Sequence, residues 1–330
     1  MPPVMTIGLA PHLYPRLYIA CSLAAALASV SACDPGSTSD EPASGGRPSG
    51  TGGSTASGGS PSASGGAVGT GGAASPRASD ISCTPWHREP IPGTQTVLVN
   101  NTWNEQWADG QPHTQCLRRR SIGTREQFGW TWSWPTYKPY SSYAAPEVVF
   151  GWKAWDGGAS TTAALPRRID ALESLTVDFS VELTAEPMHA LNTTMWITTS
   201  DVATEEKNPA DIRNEIMVWF SNPGALGGGI QYDGQVTLGA IPFKVWHQVN
   251  QPDASGGTTH TWTMIIYEAQ VDLHEAVFDL KLVLDDATQK ALVDPTHAVG
   301  GVELITEIFG GSGELWLDRF KVEAMPPTRK

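Results

Sequence analysis

The sequence predicts an all-β fold, a β-jelly-roll sandwich of two antiparallel sheets with one packed α-helix. Several segments alternate apolar and polar residues, as Leu175, Val177 and Phe179 do with Thr176 and Asp178. This period of two is typical of half-buried antiparallel strands. Clusters of Gly, Pro, Asn and Asp separate the segments, and many short strands at such spacing indicate a sandwich or jelly roll.

The same alternation locates the individual strands. Nine segments are predicted as strands: 96–99, 148–152, 175–183, 195–198, 215–220, 236–238, 243–249, 261–267 and 315–322. Trp130, Trp132 and Trp134 also alternate, so the three indoles should share one face of a further strand. A sandwich core needs only a few indoles, so we expect some tryptophans, Trp132 included, on a concave sugar-binding surface.

One segment follows helical rather than strand spacing. Between residues 280 and 292, apolar residues recur every three or four positions among charged ones. This spacing is typical of an amphipathic helix packed on the outside of a sheet. The apolar set comprises Leu280, Val283, Leu284, Ala287 and Ala291. The helix should end before Pro295.

The first eighty residues are predicted to precede the folded domain. Residues 1–32 combine a short basic n-region with an apolar h-region, as in a signal peptide, and the h-region is short for a membrane span. Small residues directly before Cys33 resemble a bacterial lipobox, so Cys33 is predicted to carry lipid. An ordinary cleaved signal peptide is the alternative. Residues 33–80 are rich in Gly, Ser, Ala, Thr and Pro, which indicates a disordered linker before one domain at 81–326.

Charge and cysteine content limit the partners and the chemistry. The 330 residues carry a formal net charge of -13, which argues against a nucleic-acid partner. The three arginines at 118–120 are interpreted as a solvated loop. If Cys21 leaves with the signal and Cys33 carries lipid, Cys83 and Cys116 remain as a pair in an oxidising compartment. Histidines, cysteines and acidic residues show no metal-ligand spacing, so we expect neither a metal nor a cofactor.

Two glutamates interrupt apolar, β-prone runs, one in 214–220 and the other in 306–309. A carboxylate in such a run is costly to desolvate unless it is paired or used. On a strand, Glu215, Met217 and Trp219 would share a face, and an acid followed by a thioether and an indole suits a cleft for sugars. Two glutamates are the minimum for cleaving a glycosidic bond. The alternative is a buried strand whose glutamate pairs with a basic residue.

Several motifs together resemble glycoside hydrolase family 12, the small β-jelly-roll endoglucanases and xyloglucanases. Members open with a strand ending Asn-Asn-x-Trp, as at 100–103, and carry Glu-Ile-Met-[Ile/Val]-Trp around the nucleophile, as at 215–219. A later Val-x-x-Gly-x-x-aromatic-x-Val-Trp motif is matched at 236–246 with one change of spacing. The acid/base glutamate lies thirteen residues before an aromatic, as Glu307 does before Phe320.

The resemblance covers nearly all of residues 83–323 and implies a disulfide as well as site residues. Members place a disulfide across their first strands, for which Cys83 and Cys116 are suitably positioned. Glu215 would be the nucleophile and Glu307 the general acid/base of a retaining cleavage of β-1,4-glucan, with the charge of Glu215 raising the pKa of Glu307. The resemblance also implies a set of substrate contacts, namely Asn101, Trp103, Met217 and Trp219.

Thr194 departs from the family pattern. Members usually carry an aspartate there, two residues before the tryptophan of the strand, where it contacts the nucleophile. A threonine hydroxyl can still donate a hydrogen bond to Glu215 and favour its ionised form. Ile308-Phe309 also replaces the Pro-Trp pair of many members. The substrate among cellulose fragments, mixed-linkage β-glucan and xyloglucan stays open, because loops decide it.

Two alternatives to an enzyme stay open. One is a surface-tethered protein that binds glycans on the same fold without cleaving them, and the other is a structural envelope lipoprotein. Two intact carboxylate motifs disfavour the first, and the tryptophan content disfavours the second. We expect an exported monomer with β-glucan as its partner. It would be held at the cell envelope or surface only by its lipid, or released when the linker is cut.

Overall fold

The computed structural model describes residues 78–135, 142–153, 159–186, 188–199, 209–222, 230–252 and 260–328. The predicted signal peptide, Cys33 and the predicted linker up to residue 77 lie outside these residues. Within the described part of the chain, no helix has the length and apolar character that crossing a membrane requires.

Strands dominate the described residues. In chain order they are β1 (Ala78–Ser82), β2 (Arg88–Pro90), β3 (Val97–Val99), β4 (Thr114–Ile122), β5 (Arg125–Trp134), β6 (Glu147–Gly151), β7 (Arg167–Arg168), β8 (Ser174–Ala185), β9 (His189–Thr198), β10 (Ile212–Ser221), β11 (Gln231–Leu238), β12 (Ile241–Pro252), β13 (Thr261–Ala269), β14 (Glu275–Asp279), β15 (Ala298–Ile308) and β16 (Gly311–Met325). One α-helix, α1 (Lys281–Gln289), lies among them, with short 3-10 turns at Glu105–Ala108, Ile169–Ala171 and Pro209–Asp211.

The strands form two sheets. One has six strands in the spatial order β1-β4-β5-β16-β8-β14. The other has ten, in the order β11-β12-β13-β10-β9-β15-β6-β3-β2 with β7 paired to β15. Within the ten-stranded sheet, β10 runs antiparallel to β9 and parallel to β13. The predicted all-β sandwich with one helix is confirmed.

The core lies between the two sheets and follows the alternation of the sequence. Val177 and Phe179 of β8 enter it from the six-stranded sheet, and Val218 and Phe220 of β10 enter it from the ten-stranded sheet. The rings of Phe179 and Phe220 meet with their centroids 4.7 Å apart. Each such side chain stabilises the fold by about 1.5–3 kcal/mol through removal from water. The alternate side chains of β10 point away from the core, onto a surface that we call the outer face.

The helix α1 confirms the one segment predicted from helical spacing. Val283, Leu284 and Ala287 are buried in the core, so the apolar stripe faces the sheets. The hydroxyl of Tyr267, on β13, donates to Asp286 Oδ2 at 2.7 Å and ties the polar side of the helix to the sheet.

A disulfide joins Cys83 to Cys116, as predicted. It links the chain just after β1 to β4, the strand with which β1 pairs. By restricting the unfolded chain, a loop of this size contributes about 3–4 kcal/mol to stability in the chain-entropy model. Strand β1 begins at Ala78, shortly before the predicted start of the domain at residue 81.

The arginine run lies in a strand, and its interpretation as a solvated loop is wrong. Arg118, Arg119 and Arg120 belong to β4, which pairs with β5 along its length. The Arg120 guanidinium lies 4.4 Å from the ring centroid of Trp316 and forms an ion pair with Glu182. Long charged side chains can cover an indole while their ends stay hydrated. A charge run alone does not reveal this arrangement.

Candidate active site

Glu215 lies near the middle of the ten-stranded sheet, on β10 between β9 and β13. Strand alternation places Glu215, Met217 and Trp219 together on the outer face. Met217 and Trp219 are buried in an apolar cluster with Ala190, Ile266 and Phe309. The indole nitrogen of Trp219 lies 3.4 Å from the Met217 sulfur. These side chains form an apolar floor beside the half-buried carboxyl group of Glu215.

A tryptophan that the sequence analysis did not single out holds Glu215. Trp262 Nε1 donates to Glu215 Oε2 at 3.0 Å. Trp262 lies on β13, two residues before Met264, which is the β-sheet partner of Glu215. Alternation along 261–267 indicates that Trp262, Met264 and Ile266 share a face, but the sequence does not say which face. That choice depends on the parallel pairing of β10 with β13.

Thr194 is not the hydrogen-bond donor to Glu215 that the sequence suggested. Its hydroxyl donates to Asn192 Oδ1 at 2.8 Å, and a hydroxyl has one proton to give. Across the sheet, Thr194 lies opposite Met217, whereas Glu215 lies opposite Trp196. The expected contact does not form because the Thr194 hydroxyl already donates its hydrogen bond to Asn192, which lies on the same face of the strand.

Glu307 lies on β15 and also faces outward. Its neighbours along the strand, Thr306 and Ile308, are buried on the inner side, and its β-sheet partner on β9 is the small Ala190. Ser142 forms a hydrogen bond with the carboxyl group of Glu307. The other oxygen, Oε2, finds no hydrogen-bond partner among the described residues although it is buried. Buried polar atoms are normally satisfied, so this oxygen is available to a ligand.

A second outward glutamate of β15 differs sharply from Glu307. Glu303 is fully buried, and both of its carboxylate oxygens lie 3.0 Å from Lys153 Nζ. Lys153 Nζ also lies 3.1 Å from Glu147 Oε2. Glu303 is thus already paired with a cation, whereas Glu307 is partly exposed and has one oxygen that no described residue contacts by a hydrogen bond.

The two candidate carboxyl groups share raised pKa values. Burial raises the pKa of Glu215 to about 8, although the Trp262 hydrogen bond opposes the rise, and repulsion by Glu307 adds to it. Burial raises the pKa of Glu307 to about 7, against the hydrogen bond from Ser142. The repulsion between the two charges is mutual, so loss of the first proton from the pair disfavours loss of the second. The expectation that the charge of Glu215 raises the pKa of Glu307 stays a prediction.

Two predicted substrate contacts follow β3 in the chain. Asn101 is 6% exposed, and its Nδ2 donates to Glu147 Oε1 at 3.2 Å. Its Oδ1 is buried without a partner among the described residues. Trp103 is half-buried, with its ring centroid 5.9 Å from that of Trp107. Asn101 therefore offers an unused acceptor, and Trp103 offers part of an indole surface.

The prediction that Trp132 lies on a concave sugar-binding surface is wrong. Trp132 is 2% exposed and lies in the core between the sheets, not on the outer face. Strand β5 belongs to the six-stranded sheet, and its alternating indoles all point inward. Trp130 Nε1, for example, donates across the core to Thr306 Oγ1 at 3.1 Å. The alternation of the three tryptophans shows that they share a face, but it does not tell whether that face lines a core or a cleft.

The described residues also contain one group that resembles a metal site by composition. Asp80, Cys83 and Cys116 bring ligand atoms within 4.8 Å of one another. The two sulfurs are bonded to each other in the disulfide, so they are not thiolate ligands.

Two outward glutamates with raised pKa values, beside indoles on one sheet of a β-sandwich, suit an enzyme that hydrolyses glycosidic bonds. The chain belongs to glycosyl hydrolase family 12, whose family model matches residues 94–325. The protein is therefore a glycoside hydrolase.

Relatives of known activity and structure agree with this family. The chain is 26% identical over 227 residues to endoglucanase S of Pectobacterium parmentieri, covering 68% of this chain and 80% of that protein. A family 12 xyloglucanase from Bacillus licheniformis has a TM-score of 0.64 at 22% identity, over 74% of this chain and 99% of that one. Endoglucanase cel12A from Rhodothermus marinus has a TM-score of 0.58 at 20% identity, over 74% and 99% of the two chains. At these identities the solved structures establish the fold alone.

Proposed function

We propose that the protein is a retaining, endo-acting glycoside hydrolase that cleaves β-1,4-glucan backbones, with Glu215 as nucleophile and Glu307 as general acid/base. The main support is that these two carboxyl groups interact on one outer face, while Oε2 of Glu307 has no hydrogen-bond partner within the described part of the chain. Glu303, the competing glutamate of β15, is already bound by Lys153.

In the first step the ionised Glu215 attacks the anomeric carbon. A bond forms between that carbon and a Glu215 oxygen, the glycosidic bond breaks, and the proton of Glu307 passes to the leaving oxygen. Bound substrate favours this arrangement of charge. A glycosidic oxygen next to Glu307 Oε2 accepts a hydrogen bond, which stabilises the protonated form of Glu307. Loss of the Glu307 charge then lets Glu215 ionise, aided by the indole of Trp262.

In the second step Glu307, now a carboxylate, takes a proton from water. The water oxygen bonds to the anomeric carbon, and the bond to Glu215 breaks. Glu215 returns as a carboxylate, and the sugar keeps its original configuration after two inversions. Retaining enzymes hold their two carboxyl groups about 5–5.5 Å apart in the complex.

The proposed substrate class is supported by the family and by two relatives, an endoglucanase and a xyloglucanase. Endoglucanase S and the Bacillus licheniformis xyloglucanase suggest cellulose fragments, mixed-linkage β-glucan or xyloglucan. Such polymers would be met outside the cell, and the Cys83–Cys116 disulfide suits an oxidising compartment. Export as a lipoprotein anchored at Cys33 is part of the proposal. A Cys33→Ser variant should move from the membrane fraction to the soluble fraction.

The test of the mechanism is Glu215→Gln, measured as reducing-sugar release from the three soluble polymers. Removing the nucleophile should lower turnover at least about 10³-fold while glycan binding and folding persist. Azide should restore cleavage to Glu215→Ala and give product of inverted configuration, which NMR of the fresh product distinguishes.

The matched control is Glu182→Gln, which changes a glutamate on the six-stranded sheet that pairs with Arg120. Its turnover should equal that of the parent. Turnover close to the parent in Glu215→Gln would remove the nucleophile assignment. Glycan binding without reducing-sugar release by the parent would favour the binding-protein alternative.

A further inference from the structure

A charged cluster lies buried on the outer face and has no part in the two-carboxylate mechanism. Lys153 is 5% exposed, and Glu147 and Glu303 are 0% exposed. Burying three ionisable groups costs several kcal/mol per ion unless their geometry is good and their remaining atoms are hydrogen-bonded. Burial raises the pKa of Glu147 well above its ordinary value, while Lys153 opposes the rise and Glu303 adds to it. The cluster is therefore costly, and its contacts indicate what it does.

The first set of contacts leads from Lys153 to the proposed nucleophile. Glu303 Oε2, held by Lys153, accepts a hydrogen bond from Trp196 Nε1 at 3.3 Å. Trp196 meets Trp262 edge to face, with ring centroids 5.8 Å apart and planes at 81°. Trp262 then donates to Glu215 at 3.0 Å. The indole that orients Glu215 is thus packed against an indole fixed by the cluster.

The second set of contacts leads from Lys153 to a predicted substrate contact. Glu147, held by Lys153 through Oε2, accepts from Asn101 Nδ2 through Oε1. With its NH2 group turned to Glu147, Asn101 presents the carbonyl Oδ1 elsewhere, and this buried atom has no partner among the described residues. A hydroxyl of a bound sugar would satisfy it.

Two glycines bring the cluster together. Gly151, the last residue of β6, lies opposite Gly301 of β15. A Cβ on Gly301 would lie 2.6 Å from the backbone oxygen of Trp152, and Gly151 has a φ of +106°. Only glycine permits this close approach and this backbone conformation. The approach lets the chain after β6 place Lys153 over Glu303.

We propose that Lys153, Glu147 and Glu303 form a positioning hub with two arms, one acting on substrate through Asn101 and the other acting on Glu215 through Trp196 and Trp262. The hub rests on the proposed function, because it assigns roles to groups that serve that site. Besides these contacts, Glu303 and Lys153 act on Glu215 through their charges, Glu303 raising its pKa and Lys153 lowering it. The substrate arm governs binding, and the nucleophile arm governs the chemical step.

Isosteric variants of the two glutamates separate the arms. In Glu147→Gln the new NH2 group turns away from the Lys153 ammonium and toward Asn101, which must reverse its own amide and present a donor to the sugar. We expect KM to rise about tenfold with kcat within about twofold. In Glu303→Gln the negative charge is lost, and the new NH2 group faces the Lys153 ammonium, because both oxygens of Glu303 lie 3.0 Å from it. The ammonium then no longer fixes the acceptor of the Trp196 hydrogen bond. We expect kcat to fall about tenfold with KM within about twofold.

The measurements use the full exported chain with cellotetraose and a soluble β-glucan. Calorimetry measures the affinity of each variant for cellotetraose when it is combined with Glu215→Gln, which should bind without turnover. This affinity tests the substrate arm. The matched control is Asp286→Asn, which removes a hydrogen-bonded carboxylate on α1, a helix that packs against the core and not on the outer face. If Glu303→Gln does not fold, Trp196→Phe removes the hydrogen bond to Glu303 and leaves the contacts of Lys153 in place, and its kcat should fall by the same factor.

The hub is overturned if both glutamine variants match Asp286→Asn in kcat, KM and affinity. It is also overturned if both change the same parameter in proportion to lost thermal stability, since that is what a purely structural ion cluster would do. Failure of the proposed function would look different. In that case Glu215→Gln would retain turnover, whatever the two glutamine variants did.

Discussion

The inner and outer faces of the ten-stranded sheet use the same strands for different purposes. On the inner face, β10 and β15 present fully buried apolar residues such as Phe220 and Leu304. On the outer face, the same strands present Glu215, Glu303 and Glu307. Successive side chains of a strand point to opposite faces. One face can therefore hold the fold together while the other carries chemistry.

The two faces also differ in how they affect the stability of the fold. Burial of the apolar inner-face side chains stabilises the fold, whereas burial of Glu215 and Glu307 raises their pKa values. A raised carboxyl pKa means that ionising the group in the folded protein costs more than in the unfolded chain. The outer face should thus contribute to activity at the expense of stability, and the inner face should do the opposite. Four variants test this division, from the largest expected effect to the smallest.

The outer face should control rate without controlling stability. Glu307→Ala removes the proposed proton donor, and we expect kcat/KM on a β-glucan to fall about 10²–10⁴-fold. Aryl glycosides with good leaving groups should lose much less, because they need little protonation. Unfolding by urea should stay within about 1 kcal/mol of the parent. An equal loss on aryl and natural substrates would contradict the acid role.

The inner face should control stability without controlling rate. Phe220→Ala opens a cavity against Phe179 and Phe278, and we expect the free energy of unfolding to drop by about 3–5 kcal/mol. Activity per folded molecule, measured well below the midpoint of unfolding, should stay within about twofold of the parent. A much larger loss of activity at full folding would show that the two faces are coupled through β10.

Stability should fall as pH rises through neutrality. For a carboxyl group whose pKa is raised in the folded state, the stabilisation is complete below its unfolded pKa and is lost as pH passes the folded value. For Glu307 and Glu215 that loss should run from about pH 4.5 through 7 and 8. Glu215→Gln, which cannot ionise, should therefore be more stable than the parent at pH 8 by roughly 2 kcal/mol, allowing for solvent that reaches the group.

Thermal or urea unfolding across pH 4–9 measures this difference. The two proteins should have equal stability near pH 4.5. A parent that becomes more stable relative to Glu215→Gln as the pH rises would contradict the raised pKa.

The smallest effect concerns the hydrogen bond to Glu215. Trp262→Phe keeps an aromatic ring against Trp196 but removes the N–H that lowers the pKa of Glu215. The acid limb of kcat/KM, where Glu215 must lose its proton, should move to higher pH by less than about one unit. The alkaline limb, set by Glu307, should move less. Trp246→Phe, which loses a comparable bond to Glu268, is the control and should leave both limbs in place.

Features encoded over short stretches of sequence could be predicted. Alternation located most strands, the 3.6-residue spacing located α1, and the motif at 215–219 marked β10 with its outward glutamate. The Cys83–Cys116 bridge also followed from the sequence. The strand β15 was less visible, because Gly300 and Gly301 interrupt its pattern and its pairing with β9 shifts at that point.

Features that depend on which strands become neighbours could not be predicted. Trp262 meets Glu215 only because β13 runs parallel to β10. Lys153 has no local pattern around it, and its partner Glu303 is 150 residues away. Trp132 shared a face with two other indoles, but only the assignment of β5 to the six-stranded sheet shows that this face is the core. The Thr194 contact was missed for a different reason, because the acceptor of its hydroxyl, Asn192, lies two residues away on the same strand and not on a neighbouring one.

The position of β1 separates the first described residue from the reacting groups. Strand β1 is an edge strand of the six-stranded sheet, on the opposite side of the core from the outer face. Ala78, where β1 begins, thus belongs to the sheet that does not carry Glu215 and Glu307. A glucan bound by the two glutamates would lie across the other sheet, so chemical changes at Ala78 should leave turnover on a polymer unaltered.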